Sequence, residues 1–398
     1  MLPNSKLCSF MSWIGLCLCM VTGNIWGQGL SDLEAEENKL HVQWQDQFWS
    51  YLETSEHAQF RTASGIRLLR IKDPVANERG LELIDEAVST LNPDPASLWL
   101  VASECQFRKV ANWCEPGGVY EMLIQADPDN VAVLMLRFSQ ASLAKDEELL
   151  DTEANRQLLL RAAEANRFDM YWGRGADKLY GEALKFVEIH PVPPIPELEQ
   201  LKLQLVFSPH TYAFFATMGL IVTNTSVGYN NTAELCRIQA RNQRAKAIEA
   251  CKKLAQILRN YGYSLMTRTV GFGIEKAMLR DIDPDDPRIR SWQLRGQVSS
   301  IMQICFSPRW LNNTELWPET SVETMMNWAK NLSELGEVQG NRLTAMQEYN
   351  TSPDDFVVTP ADCDKLLDLD DEGMARLVDG QDPYAAWQTM QAEAGGHE

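Results

Sequence analysis

Between residues 78 and 138 the apolar positions recur at helical spacing in four runs, and a proline turn separates the runs of each pair. Leu81, Ile84, Ala87, Val88 and Leu91 lie three and four apart, on one face of a helix expected over residues 78–91. Asn92-Pro93-Asp94-Pro95 ends it, because Pro93 lacks an amide hydrogen and disfavours helical geometry at Asn92. Leu98, Trp99, Val101, Ala102 and Cys105 open the next apolar face. The grammar then repeats. Val119, Met122, Leu123 and Ala126 precede Asp127-Pro128-Asp129-Asn130, and Val131, Leu134, Met135 and Phe138 follow it. Pro93 and Pro128 stand 35 residues apart. A helix, proline turn and helix of that period leave an apolar face that a neighbouring hairpin must cover. The expected fold class is therefore all-α, built of stacked helical hairpins in the manner of an α-solenoid.

This pattern resembles the tetratricopeptide repeat, in which an acidic-proline turn closes one hairpin and an aromatic residue opens the next. Trp99 sits where that family keeps its Trp, and Leu134 takes the place in the following copy. Ser103 and Gln106 stand where the family has Gly and Tyr. The resemblance covers about two hairpins, and it implies that Leu98, Trp99, Val131 and Leu134 build the stack rather than touch a ligand.

The rest of the chain extends the helical pattern. Leu40, Trp44, Phe48, Tyr51 and Leu52 predict a helix over 39–53 that caps the repeats, after an acidic, fraying stretch at 30–38. Further helices are expected over 152–168 and 170–187. His190-Pro191-Val192-Pro193-Pro194-Ile195-Pro196 carries four prolines within six residues, an extended spacer that marks a domain boundary. On this basis residues 30–189 and 197–350 are two helical halves joined by the linker 190–196. In the second half Asn242 is expected to cap a helix burying Ala247, Ile248, Cys251, Leu254, Ala255 and Leu258. An acidic turn at Asp281–Pro287 precedes a helix over 288–305, and a helix pair is expected at 322–335 and 338–349. Residues 351–398 hold twelve acids against Lys365 and Arg376 and read as an acidic tail.

Residues 1–29 read as a secretory signal: Lys6, an uncharged apolar run Leu7–Val21, then Gly23, Gly27 and Gly29. The formal net charge of −19 becomes −20 once Lys6 leaves with that segment. Such a chain repels nucleic acid, so no nucleic-acid partner is expected. No transmembrane span is expected either, since the apolar stretch Tyr212–Val222 is too short to cross a bilayer. Of nine cysteines, Cys8, Cys17 and Cys19 fall within the signal. The six that remain favour disulfides in an exported chain: Cys105 with Cys114, Cys236 with Cys251, and by elimination Cys305 with Cys363. No CxxC occurs and no His lies near these cysteines, so zinc is not expected.

Candidate chemistry is sparse. Asp368, Asp370, Glu372 and Gly373, with Asp379 at the twelfth position, resemble the spacing of an EF-hand calcium loop, a weak metal candidate. Glu372 is longer than the usual ligand, Asp379 replaces the bidentate Glu, and Arg376 puts a positive charge at the ninth position. There is no GxSxG and no HExxH. Gly271-Phe272-Gly273 and Gly173-Arg174-Gly175 lack the preceding strand of a phosphate loop. Arg237, Arg241, Arg244, Lys246, Lys252 and Lys253 form the one basic patch, a solvated face or a contact for the acidic tail or an acidic partner. Asn224, Asn230, Asn312, Asn331 and Asn350 begin Asn-x-Ser/Thr sequons, which matter only in a eukaryotic secretory route.

No cofactor and no catalytic residue follow from these patterns. The expected function is that of an exported interaction module, periplasmic or extracellular, whose stacked hairpins receive an unknown protein or peptide. The alternatives are a helical hydrolase or lyase, with His190, His210 and Glu197 or Glu199 as its residues, and a secreted effector.

Overall fold

The computed structural model describes residues 32–105, 111–115, 117–139, 147–171, 173–191, 213, 228–261, 265–312, 320–352, 363–379 and 389. The fold is all-α. Among the described residues there is no strand, only an isolated bridge between Asn130 and Arg167. The chain forms two compact units. One takes in residues through Val101, Trp172–Thr225 and Asn313–Ser333; the other takes in Ala102–Tyr171, Ser226–Asn312 and Glu334 onward. Each gathers stretches from before and after residues 190–196, of which 192–196 lie outside the described residues.

In the first unit, α1 (Asp32–Leu52) buries Trp44, Phe48 and Leu52. It begins seven residues before the expected start at residue 39, inside the stretch expected to fray, and Leu40 on the expected stripe is exposed. Helix α2 (Ala58–Leu69) and α3 (Pro74–Val88) form a hairpin. Asp73 caps α3 by accepting from the Val75 amide at 3.1 Å, and Pro74 occupies the first turn, where no amide hydrogen is needed. This start lies four residues before the expected residue 78. It turns Gly80, Leu83, Ile84, Ala87 and Val88 inward, while Leu91, expected on that face, lies beyond the helix and is 96 % exposed. Helix α4 (Pro95–Glu104) follows, with Leu98 and Trp99 buried.

Helices α2 and α3 cross at two glycines, where any larger side chain would meet the opposite backbone. Helix α1 lies on α2 through a Ser64 hydroxyl donating to the Trp49 carbonyl at 3.1 Å, and Arg67 stacks 5.5 Å from the Trp49 ring.

The second unit takes the last turn of α4 from Ala102 and then α5 (Val119–Ala126) and α6 (Val131–Leu136), followed by α7 (Glu147–Leu150) and α8 (Glu153–Ala162). Helix α8 stops six residues short of the expected residue 168, because residues 167–171 run instead beside the Asp127–Asn130 turn. Back in the first unit, α9 (Ala176–Ile189) starts six residues later than expected, behind Gly173 and Gly175, both at positive φ.

Helices α10 (Tyr229–Arg241) and α11 (Ala245–Tyr261) form a hairpin whose turn differs from expectation. Asn242 is the C-cap of α10, and Gln243 turns the chain with φ of 51°. The buried face is otherwise the expected one: Ala247, Cys251, Leu254, Ala255 and Leu258 are buried, with Ile248 half-buried. Helix α12 (Leu265–Ile282) packs closely on α11 at Gly271, where a Cβ would fall 2.6 Å from the Ala255 carbonyl oxygen. Arg259 of α11 meets Glu275 of α12 at 2.6 Å and lies 4.5 Å from the Trp292 ring of α13 (Arg288–Phe306). A short α14 (Arg309–Asn312) comes next.

Helix α15 (Val322–Thr351) spans the expected pair 322–335 and 338–349 and breaks between them at Gly336, whose φ is 82°. Helix α16 (Asp371–Asp379) belongs to the acid-rich stretch, yet its apolar face is part of a core. Leu294, Val298, Val338, Cys363, Leu366, Met374 and Leu377 form that cluster. Acids dominate the composition there, but Leu366, Met374 and Leu377 supply the apolar stripe that docks it.

Candidate functional site

Among the described residues, buried polar side chains converge at the second proline turn. Helix α5 ends at Asp127, whose amide donates to the Leu123 carbonyl at 2.9 Å. Asn130 then caps α6, its Oδ1 accepting from the Ala132 amide at 3.1 Å. Residues 167–171 come alongside. The Val131 amide donates to the Arg167 carbonyl at 2.9 Å, and the Asp169 amide donates to Asn130 Oδ1 at 2.9 Å. Asn130 Nδ2 in turn donates to the Asp169 carbonyl at 2.7 Å and to Asp127 Oδ2 at 3.0 Å.

Charges complete the knot. The Arg167 guanidinium pairs with Asp127 and, at 3.2 Å, with Asp169, while the Tyr171 hydroxyl donates to Asp127 Oδ2. The Tyr171 amide donates to Asp169 Oδ1 at 2.7 Å. Asp127, Asn130, Asp169 and Tyr171 are all buried. Burial, then the hydrogen bond and negative field of Asp127, push the Tyr171 phenol far above its ordinary range, so it stays protonated and donating. Burial works against the charge of Arg167, but hydrogen bonding to Asp127 and the fields of both aspartates outweigh it and raise its pKa.

Tyr171 has φ of 54°, a left-handed conformation uncommon for a bulky residue. Such strain is a mark of functional sites, and it persists only where the surroundings over-determine it. Here they do. Both Asp127 oxygens accept from Arg167, Asn130 or Tyr171. The arrangement can therefore fix a turn and hold a remote segment against it. Sequence reasoning found the Asp-Pro-Asp-Asn turn and missed Arg167, Asp169 and Tyr171. Their partners lie 39 to 44 residues away, and no local periodicity encodes such a pairing.

A second network accounts for half of the basic patch. Asp151 accepts from Arg156 at 2.8 Å, from Arg244 at 2.6 Å and from Gln239 at 2.9 Å. Burial raises its pKa, but these hydrogen bonds prevail and lower it. Arg237 pairs with Asp281 at 3.0 Å, and Arg241 with Glu147 at 2.9 Å. The arginines thus serve internal carboxylates, whereas Lys246, Lys252 and Lys253 are exposed.

The aromatic stripe of α1 lies against α9. Trp44 Nε1 donates to the His190 carbonyl at 2.8 Å, and the Phe48 and Phe186 rings are 5.1 Å apart. The Tyr51 hydroxyl donates to Glu182 at 2.7 Å, and Glu182 also accepts from Lys185 at 2.8 Å. Burial, then Glu182, pushes the Tyr51 phenol up to about 12. Burial acts to raise the Glu182 pKa, but its hydrogen bonds from Lys185 and Tyr51 prevail and lower it. His190 stacks on Phe186 at 4.6 Å. Of the residues expected for a hydrolase, only His190 is described; His210, Glu197 and Glu199 lie outside the described residues.

Along the calcium-like pattern, Asp370 Oδ1 accepts from the Gly373 amide at 2.8 Å as the cap of α16. Gly373 lies inside that helix rather than in a loop, and Asp368, Glu372 and Asp379 are at least partly exposed. Among the described residues no group of three or more His, Cys, Asp or Glu is placed to hold a metal. Gly271-Phe272-Gly273 is helical, within α12.

Among the described residues two disulfides have both of their cysteines in view, Cys105–Cys114 and Cys236–Cys251, with Cα separations of 5.5 and 5.7 Å. Cys363 is buried and disulfide-bonded, and the Cys305 side chain lies outside the described residues. Residues 1–29 also lie outside them. Of the sequon asparagines, Asn230 and Asn350 are exposed and Asn331 is buried; Asn224 and the side chain of Asn312 are outside the described residues. No helix among the described residues is long and apolar enough to cross a membrane. No protein-family model, curated protein or solved structure matches the chain.

Proposed function

We propose that this chain is an exported scaffold of tetratricopeptide-like helical hairpins that binds a protein or peptide in the cell envelope or extracellular space. One observation carries the reading. Leu98, Trp99, Val131 and Leu134, the residues that open the helices after each proline turn, are at most 1 % exposed. With α4 buried from Ala96 onward and α6 buried along its whole length, these two helices build the stack, and the more exposed helices around them are left to meet a partner, as in hairpin repeats. The disulfides support an oxidising destination, since such bonds persist outside the reducing cytosol. The test is affinity capture of the mature protein from its native envelope, with mass spectrometry of what it retains. A specific polypeptide partner, lost when captured protein is reduced and unfolded, is the expected result. Recovery of no partner, together with turnover of a small-molecule panel, would favour instead the helical hydrolase or lyase.

A further inference from the structure

Cys105–Cys114 and Cys236–Cys251 sit in different surroundings. Cys236 and Cys251 lie within helices α10 and α11 and are each 0 % exposed, beside the equally buried Leu235, Leu254 and Ala255. Cys105 and Cys114 are half-buried. Cys105 directly follows the last residue of α4, and Cys114 closes the short 3₁₀ turn Ala111–Cys114 ahead of α5. Exchange requires a thiolate to approach one sulfur of the bond, so access governs its rate. To reach Cys236–Cys251 a thiolate must pry apart a pair of packed helices, which demands an opening on the scale of the unit's own stability. Reaching Cys105–Cys114 asks only for fraying of a helix end and a single turn.

We infer that Cys105–Cys114 is an exchange-active disulfide that responds to a dithiol partner, while Cys236–Cys251 is a permanent staple. In the step, a thiolate of the dithiol attacks one of the two sulfurs, a mixed disulfide forms, and the electron pair of the broken bond leaves on the other cysteine as thiolate. The dithiol's second thiol, deprotonated, then displaces the attached cysteine. Two electrons pass from the dithiol to the cystine, the dithiol becomes a disulfide, and both cysteines take up protons. The link between α4 and α5 loses its covalent clasp, while the buried cores of both units remain.

Dithiothreitol is the probe. The full chain, purified without reductant, is exposed to it under native conditions, quenched at intervals with iodoacetamide, and mapped by peptide mass. The expected result is loss of the Cys105–Cys114 linked peptide while the Cys236–Cys251 linked peptide persists. The same series in denaturant should erase that order, which ties it to burial. Simultaneous opening in the native protein, prior opening of Cys236–Cys251, or opening of neither would overturn the inference. A C105S/C114S double variant should keep the helical circular dichroism of the parent; collapse of that signal would make the bond a structural staple and equally overturn it.

Discussion

Gly65 and Gly80 face one another across the α2–α3 crossing with no side chain between. A Cβ on Gly65 would lie 2.8 Å from the Gly80 carbonyl oxygen, and one on Gly80 would lie 2.7 Å from the Gly65 carbonyl oxygen. In an open helix interior, Gly to Ala stabilises by about 0.5–1 kcal/mol. At this crossing the sign should reverse, because the intruding methyl meets backbone that cannot rotate aside. Gly80→Ala is expected to cost about 1–3 kcal/mol by overpacking. Gly181→Ala in α9, where a Cβ meets nothing within 4 Å, should instead gain up to about 1 kcal/mol. Urea midpoints of the two variants decide it, and equal shifts in one direction would refute the close crossing.

The knot at the second proline turn predicts a large effect from a single amide. Asn130→Ala removes the cap of α6 and strips hydrogen bonds from the buried Asp127 and Asp169. Loss of a cap costs about 1 kcal/mol, and each buried polar group left unsatisfied costs about 1–3. A total of about 2–4 kcal/mol is expected in equilibrium unfolding. A loss under about 0.5 kcal/mol, typical of a surface site, would show that the network does not hold the turn.

Acid and alkali should each weaken the fold for a stated reason. Asp151 and Glu182 have lowered pKa values when folded, so their contribution is present above the unfolded values near 3.9 and 4.3 and is lost as pH falls through the folded ones. Tyr51 and Tyr120 are raised to about 12, both chiefly by burial, so their contribution is present below the unfolded value near 10 and lost as pH rises from there through about 12. Ultraviolet titration of tyrosinate should show a fraction of the phenols ionising only near the alkaline unfolding transition. Complete ionisation at ordinary tyrosine pH, with the fold intact, would contradict the burial of these hydroxyls.

Helical placement of Asp371–Asp379 predicts no calcium site at the EF-hand-like spacing, since the ligands of such a loop must wrap the ion and these residues lie along a rod. Calorimetric titration of the protein with calcium should give no binding heat. A saturable exotherm abolished by Asp370→Asn would reverse that conclusion.

Much of this architecture is written locally. Helical periodicity, the proline turns, the burial of Trp99 and Leu134, and the pairing of Cys105 with Cys114 and of Cys236 with Cys251 all follow from neighbours within about one hairpin. Boundaries are harder to read where capping competes with periodicity. Asp73-Pro74 starts α3 four residues before the apolar stripe suggests, and Leu91 continues that stripe past the end of the helix. What local pattern does not hold is the meeting of remote segments. Arg167, Asp169 and Tyr171 reach a turn some forty residues earlier, and α16 enters a core with Leu294 and Val298 despite its acidic composition.

In the proposed function, paired helices clasped by disulfides form a scaffold that works after export. Intact mass of the protein recovered from its native source, without reductant, tests it most directly. The account predicts a chain shortened by its first 27 to 29 residues, with the six remaining cysteines, Cys305 and Cys363 included, all oxidised in pairs. A full-length chain carrying free thiols would contradict it.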